Sequence, residues 1–335
     1  MDSPALILFG PTASGKTGIL LELFSAGSSP LAEVISADSM QVYRGMDIGT
    51  AKPTAEEQAR LPHHLLDIRN PDEQFNAGDF VRLAAETCRD ISGRGKLPVI
   101  SGGTGFYLKN FILGLPSAPP SNPLIREELR QELKEKGVSA LMEELERRDP
   151  LSAQRIHIND QYRLLRALEV LRLSGRSLSS FQVPSAGDAD TAGNAKAQSN
   201  FLIIGLQRPR EELYRRIEMR CDNMFRQGLV DEVRSLYNCG YTPKDPGLRA
   251  IGYHEFFVED LESPVFSENK KKYRFSEDIS GVQALVVQNS RRYAKRQITF
   301  FSGIPGIKWI EAGDDNVKTV RQIRREMGEQ LAVSS

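Results

Sequence analysis

The chain has 335 residues, 40% of them hydrophobic, which allows one large or two modest domains with an ample core. Its 44 Lys and Arg balance its 44 Asp and Glu, so bulk charge gives no sign of a nucleic-acid partner and any basic surface must be local. The three cysteines, Cys88, Cys221 and Cys239, form no Cys-x-x-Cys and no zinc spacing with His, which argues for reduced thiols in a cytoplasmic protein rather than a disulfide scaffold or a zinc site. No leader precedes the first apolar run, and no apolar run approaches the ~18 residues of a membrane span, so no membrane association is expected.

Ala5-Leu6-Ile7-Leu8-Phe9 reads as a buried strand, and Ile19 to Phe24 can open a helix. Between them lies Gly10-Pro11-Thr12-Ala13-Ser14-Gly15-Lys16-Thr17, which has the spacing of a phosphate-binding loop in the strand–loop–helix context the motif requires. Backbone N–H groups of such a loop point at an anion, Lys16 adds a compact charge, and the Thr17 hydroxyl can hold Mg²⁺. The alternative, a chance glycine turn, leaves the full spacing and both flanks unexplained.

Loops of this kind usually serve nucleotides such as ATP, with a second strand ending in Asp to help hold the metal. The apolar run 33–37 ends in Asp38-Ser39; the run 97–100 ends in Ser101-Gly102-Gly103-Thr104-Gly105, with no acid. A guanine-reading Asn-Lys-x-Asp is missing. Asp38 is therefore the carboxylate candidate for chemistry, with metal holding or helix capping as its plainer reading.

Strands near 5–9, 33–37 and 97–101 alternate with helices near 16–25 and 77–92, the second capped by Asn76, which predicts an α/β unit with a parallel sheet. Pro116-Ser117-Ala118-Pro119-Pro120 breaks the pattern. Residues 121–182 read as helical: Asn122-Pro123 is a cap followed by a first-turn proline, and Asp160 opens a helix with Leu164, Leu165, Leu168 and Leu171 on one stripe. The small, polar run 185–194 predicts a loop, and Phe201 to Leu206 a return to the sheet.

Pro209 then starts a helix with Arg216 and Arg220 on one face, and spacing alone favours solvated arginines there. Residues 262–280 read as a surface insertion and 317–331 as a polar closing helix. Arg291, Arg292, Lys295 and Arg296 lie in a stretch, 280–300, without an acid; the stripe suits RNA phosphates, or is an ordinary charged helix face.

Several blocks resemble the tRNA dimethylallyltransferases, also called tRNA isopentenyltransferases. They are Asp38 to Tyr43, Gly45 to Pro53, Pro62 to Asp67, Gly102-Gly103-Thr104, Arg155 to Asp160, Arg166 to Val170, Ala250 to Tyr253 and Ala294 to Thr299, in family order. The resemblance implies a P-loop NTPase-like α/β core over 1–116 and 200–315, an all-helical insertion over 117–199 that grips the tRNA anticodon arm, and a C-terminal helix or tail over 316–335.

The implied reaction moves a dimethylallyl group from dimethylallyl diphosphate to N6 of the adenosine just 3′ of the anticodon, in tRNAs reading codons that begin with U. Asp38 would be the general base, Thr12 and Thr104 would orient groups beside it, and Arg220 would reach the diphosphate. Asp38, Ser39, Met40, Gln41 and Thr104 would line the pocket of the flipped base, and Arg126, Tyr162, Arg163 and Arg166 match RNA contacts. Tyr162 stands where the family has glutamine, and Gly18 where it more often has alanine. Arg292 and Lys295 would add RNA contacts to a monomeric enzyme. Two other readings remain open at this point: a kinase using ATP on the same loop, and an RNA-binding module without turnover.

Overall fold

The computed structural model describes residues 4–24, 31–181, 201–259 and 273–333. They divide into two compact units, Met1–Ile112 with Asp190–Ser335, and Leu113–Ala189.

The larger unit is built on a parallel sheet. Its strands are β1 (Ala5–Phe9), β2 (Ala32–Ser36), β3 (His63–His64), β4 (Leu97–Gly102), β5 (Phe201–Gln207) and β8 (Lys308–Glu311), in the spatial order β3-β2-β4-β1-β5-β8. Each neighbouring pair is parallel, with Leu6 opposite Val99 on one side of β1 and Leu202 on the other. A strand covered on both faces is apolar along most of its length; β1, β2 and β4 are buried at every position, and Glu33 of β2, their one charged residue, is paired with Arg94, Lys96 and His64.

Helices α1 (Lys16–Phe24) and α11 (Asn316–Val333) share one core with the sheet, where Leu20, Leu23, Ile204, Val320 and Ile323 are buried together. The closing helix is thus part of the sheet's packing. The short α2 (Ala55–Arg60) opens on a capping box between Thr54 and Glu57. Phe80 of α3 (Ala77–Gly93) stacks on Tyr107 of α4 (Gly105–Leu113), with ring centroids 4.8 Å apart. The Asn76 cap is likewise a full capping box, with Asp79.

The strands near 5–9, 33–37, 97–101 and 201–206 and the helices near 16–25 and 77–92 are where the sequence places them. The edge strands β3 and β8 are not apparent in the sequence, because one is two polar residues long and the other buries only Ile310. The expected insertion 262–280 needs correction at its end. Tyr273–Phe275 forms β7, antiparallel to β6 (Phe257–Glu259), and Asp278 caps the next helix; the earlier part, like the expected loop 185–194, lies outside the described residues.

The smaller unit is helical, with α5 (Pro123–Arg148), which is broken into two arms at Gly137 (φ 80°), α6 (Pro150–Ala153) and α7 (Gln161–Ser174). Asn122 and Asp160 cap their helices through side-chain acceptors. The leucine stripe of α7 is buried, and Leu164 and Leu168 pack with Leu129, Leu141 and Leu145 of α5.

Candidate active site

In an open parallel sheet, ligands bind beyond the carboxyl ends of the strands. Here the phosphate loop follows β1, Asp38 follows β2, Thr104 follows β4 and Arg208 follows β5. A cavity of ≈ 920 Å³ opens at that edge, and its wall includes Thr12, Lys16, Thr17, Asp38, Gln41 and Arg220. Ala13, Gly15, Ser39 and Met40 line it as well, whereas Gly10, Pro11 and Ser14 stand behind the wall in the loop backbone.

The loop is a left-handed turn running into α1. Ala13 takes φ 63° and Gly15 φ 93°, conformations that expose successive N–H groups. Lys16 Nζ folds back on the loop and donates to the carbonyls of Gly10 at 2.9 Å and Pro11 at 3.0 Å. Burial, and then the charge of Arg220, lowers the Lys16 pKa to about 8, against a smaller raising effect of Asp38.

Two arginines hold the loop from outside. Arg208 Nε donates to the Ser14 carbonyl at 3.0 Å and Arg216 Nε to the Ala13 carbonyl at 3.0 Å. These bonds satisfy carbonyls that must face away if the N–H groups are to face a ligand. The expectation that Arg216 is a solvated surface residue is therefore corrected: its head lies against the loop and lines the cavity. Arg208, buried and paired with Glu212, carries no motif spacing that could have revealed it.

Arg220, on α8 (Arg210–Arg226), donates to Thr12 Oγ1 at 3.1 Å and to the Thr50 carbonyl at 3.4 Å. Asp38 Oδ1 accepts the Met40 N–H at 2.9 Å and the Gln41 N–H at 3.4 Å, which fixes the carboxylate on its turn and leaves Oδ2 without a partner among the described residues. Thr104 Oγ1 accepts the Ser39 N–H at 2.9 Å and donates to Ser39 Oγ at 3.2 Å, so the turns after β4 and β2 are tied together.

The helix α10 (Ile279–Phe301) closes this side. Gln297 Oε1 accepts the Thr12 N–H at 2.8 Å while its Nε2 donates to the Gly103 carbonyl at 2.7 Å, joining two strand-end turns through one buried amide. Burial, and then the charge of Asp38, pushes the Tyr293 hydroxyl up to about 12, so it stays a neutral donor in the cavity. Neither role is legible in the charge pattern of the helix; the Lys-Arg-Gln block only draws the eye to the segment.

The basic residues of α10 do not form one uniform stripe. Arg291 pairs with Glu218, Arg296 lines the cavity, and Arg292 and Lys295 are exposed with no ion pair among the described residues. In the smaller unit the Arg126 guanidinium lies over the exposed Tyr162 ring at 4.7 Å. Arg163 is exposed beside Asp160, whereas Arg166 is tied into the unit by Glu169 at 2.8 Å and the Pro119 carbonyl at 2.5 Å.

Among the described residues no cluster of three or more His, Cys, Asp or Glu side chains offers a metal cage. Thr17 in the cavity wall, beside loop amides, suits Mg²⁺ of the kind held chiefly by substrate phosphates and water.

Fold and cavity together define a P-loop α/β protein in which an anion-binding loop and a strand-end carboxylate open into one space. The family model for IPP transferase matches residues 41–303. A tRNA dimethylallyltransferase of Geobacter sulfurreducens is 42% identical over 317 residues, 94% of each chain, and one of Trichlorobacter lovleyi is 41% identical over 96% of this chain and 97% of its own. The solved tRNA isopentenylpyrophosphate transferase of Bacillus halodurans superposes with a TM-score of 0.66 at 35% identity, covering 99% of this chain and 98% of that one. A eukaryotic dimethylallyltransferase described as acting on tRNA, at 23% identity and a TM-score of 0.72, shares the fold. The chain belongs to the tRNA dimethylallyltransferase family, and it is a transferase.

Proposed function

We propose that the protein transfers a dimethylallyl group from dimethylallyl diphosphate to N6 of the adenosine 3′ to the anticodon, in tRNAs reading codons that begin with U. One observation carries the reading. A single cavity combines a phosphate-binding loop, two cations whose pKa values burial lowers, Lys16 and Arg220, and a fixed carboxylate, Asp38, with one oxygen that accepts no hydrogen bond among the described residues.

An exocyclic adenine amine is a weak nucleophile, because its lone pair is delocalised into the ring. In the proposed step the N6 lone pair forms the bond to C1 of the dimethylallyl group, the C1–O bond breaks, and its electron pair leaves with diphosphate. The proton of N6 passes to the Asp38 carboxylate. Loop amides, Lys16 and Arg220 stabilise the charge that develops on the leaving oxygens. Thr104 orients Ser39 and the base-facing turn, and Thr12, held by Arg220 and Gln297, keeps the loop mouth in place. Mg²⁺ on Thr17 would neutralise leaving-group charge when bound. The target base must leave its stack to reach the cavity.

The test is incubation with labelled dimethylallyl diphosphate and bulk tRNA, with phosphate release from ATP followed in parallel. Label in RNA that maps to N6 of that adenosine, with ATP left intact and competing weakly, is the expected result. Robust ATP turnover without prenylated RNA would leave the kinase reading standing, and tRNA binding without either reaction the binding-module reading.

A further inference from the structure

The proposed step does not use Glu232, yet its carboxylate is among the most heavily engaged in the described chain. Glu232 lies on α9 (Leu229–Asn238), the helix after the one that carries Arg220. Its Oε2 accepts the backbone N–H groups of Asp47 at 2.9 Å and Ile48 at 2.8 Å. Its Oε1 accepts the Gly49 N–H at 3.1 Å and the Tyr253 hydroxyl at 2.6 Å. A carboxylate has no donor of its own, so it is suited to collecting three consecutive amides and a phenol.

The fit is close at Gly49. A Cβ there would fall 2.4 Å from the Tyr253 ring, which is fully buried, so the chain passes flat beneath the ring that Glu232 anchors.

The same loop turns immediately to the reacting centre. The Thr50 carbonyl accepts from Arg220 Nη2 at 3.4 Å and from Gln41 Nε2 at 3.3 Å, and Gln41 Nε2 also reaches the Ala51 carbonyl at 3.2 Å. Arg220 in turn holds Thr12 of the phosphate loop, and the Gln41 N–H is one of the two that fix Asp38. Ala51 sits at φ 47°, a left-handed conformation that an alanine keeps only where its surroundings impose it. The N–H face of residues 47–49 is thus held by one helix, and the carbonyl face of 50–51 holds the side chains beside Asp38.

We infer that Glu232 is a positioning residue for prenyl transfer: by clamping residues 47–49 it sets the Thr50 carbonyl, and through it Arg220 and Gln41, at the diphosphate and the base. The inference rests on the function proposed above.

A double-mutant cycle tests it. Glu232→Gln keeps the size but turns an amide group toward N–H donors. It is expected to lower kcat roughly tenfold and weaken inorganic diphosphate binding about fivefold, with tRNA affinity within about twofold of wild type. Lysine cannot bridge Thr12 and Thr50 as the guanidinium fork does, so in an Arg220→Lys background the further loss should shrink to about twofold. Losses that multiply across the two sites, or a lowered Tm with normal kcat and normal diphosphate affinity, would make Glu232 a structural staple and overturn the inference. If Glu232→Gln does not fold, Tyr253→Phe removes the hydroxyl that donates to Glu232 at 2.6 Å and enters the same cycle, with a drop in kcat of about threefold that vanishes beside Arg220→Lys. A wild-type protein that prenylates no RNA would count against the proposed function, while the diphosphate-binding arm would still decide whether Glu232 acts through Arg220.

Discussion

The protein uses positive charge in two ways. Around the phosphate loop Arg208 is buried and Lys16 and Arg220 are half-buried in the cavity wall, and each is bonded to a loop atom. On α10, Arg292 and Lys295 stand in solvent without an ion pair among the described residues. Burial lowers the pKa of Lys16 and Arg220, the mark of charge kept in place at a desolvation cost. Such cations act through geometry and resist screening. Exposed cations act through the field, which salt screens within about 10 Å at 0.1 M. One set suits a small ligand in a fixed pose, the other a polyanion that can slide.

The strongest challenge to this contrast removes the carboxylate among the desolvated cations. Asp38→Asn keeps the shape of the turn, since its amide oxygen can still accept the Met40 N–H. Folding and tRNA binding should stay near normal while kcat falls by roughly 10²–10⁴, the range for a lost general base. Single-turnover prenyl transfer is the measurement; near-normal turnover would end the role given to Asp38.

Next comes the loop lysine. Lys16→Ala should slow transfer by on the order of 10²-fold and weaken diphosphate binding, because it deletes a desolvated, charge-assisted hydrogen-bond donor. The depressed pKa adds a pH dependence with a definite sign. Below about 8 the free enzyme already carries the proton that diphosphate needs; above it the proton must be taken up on binding. Affinity should therefore fall above pH 8 by up to about tenfold per pH unit, until the raised pKa of the bound state is passed. Titration calorimetry in buffers of different ionisation enthalpy reads that proton directly. Diphosphate itself titrates, so the part assigned to Lys16 is the part missing from Lys16→Met.

The sequence made the central parallel strands legible because buried strands are continuous apolar runs, and it exposed the loop because its glycines and Lys16 have fixed spacing. It marked Asp38 as the acid at a strand end. Other parts of the site depend on bonds between residues far apart in the chain. Arg208 reaches Ser14, Arg216 reaches Ala13 and Gln297 bridges Thr12 to Gly103, and no local pattern encodes such a pairing. Arg216 is instructive. Its spacing from Arg220 correctly puts both on one face of α8, but spacing could not say that this face meets the loop. The edge strand β8 was hidden for a different reason: an exposed strand needs few apolar residues, and Ile310 is its one buried position.

Arg216 sits between the two regimes, with one nitrogen on the loop and another 3.7 Å from the exposed Asp314. Arg216→Gln should weaken inorganic diphosphate about tenfold and raise the KM for dimethylallyl diphosphate more than it lowers kcat, since it removes support and charge from the ground-state site. A loss confined to kcat would move Arg216 from holding the diphosphate to acting only in the transition state.

The smallest effect belongs to the exposed cations, and salt makes it visible. Arg292→Ala with Lys295→Ala should leave diphosphate affinity unchanged, because neither side chain lines the cavity. tRNA binding should weaken modestly at low salt and less at high salt. Each RNA phosphate that is no longer neutralised should reduce the magnitude of the slope of log K against log salt by about 0.7–0.9. The slope is the better readout than affinity at one salt concentration, since only a cation that displaces counterions changes it. A packing defect in α10 would lower affinity by a similar factor at every salt concentration and would also disturb Tyr293 and Gln297, hence turnover. An unchanged slope with normal affinity would make Arg292 and Lys295 a solvated helix face, and the field-driven half of the comparison would have to be sought elsewhere on the surface.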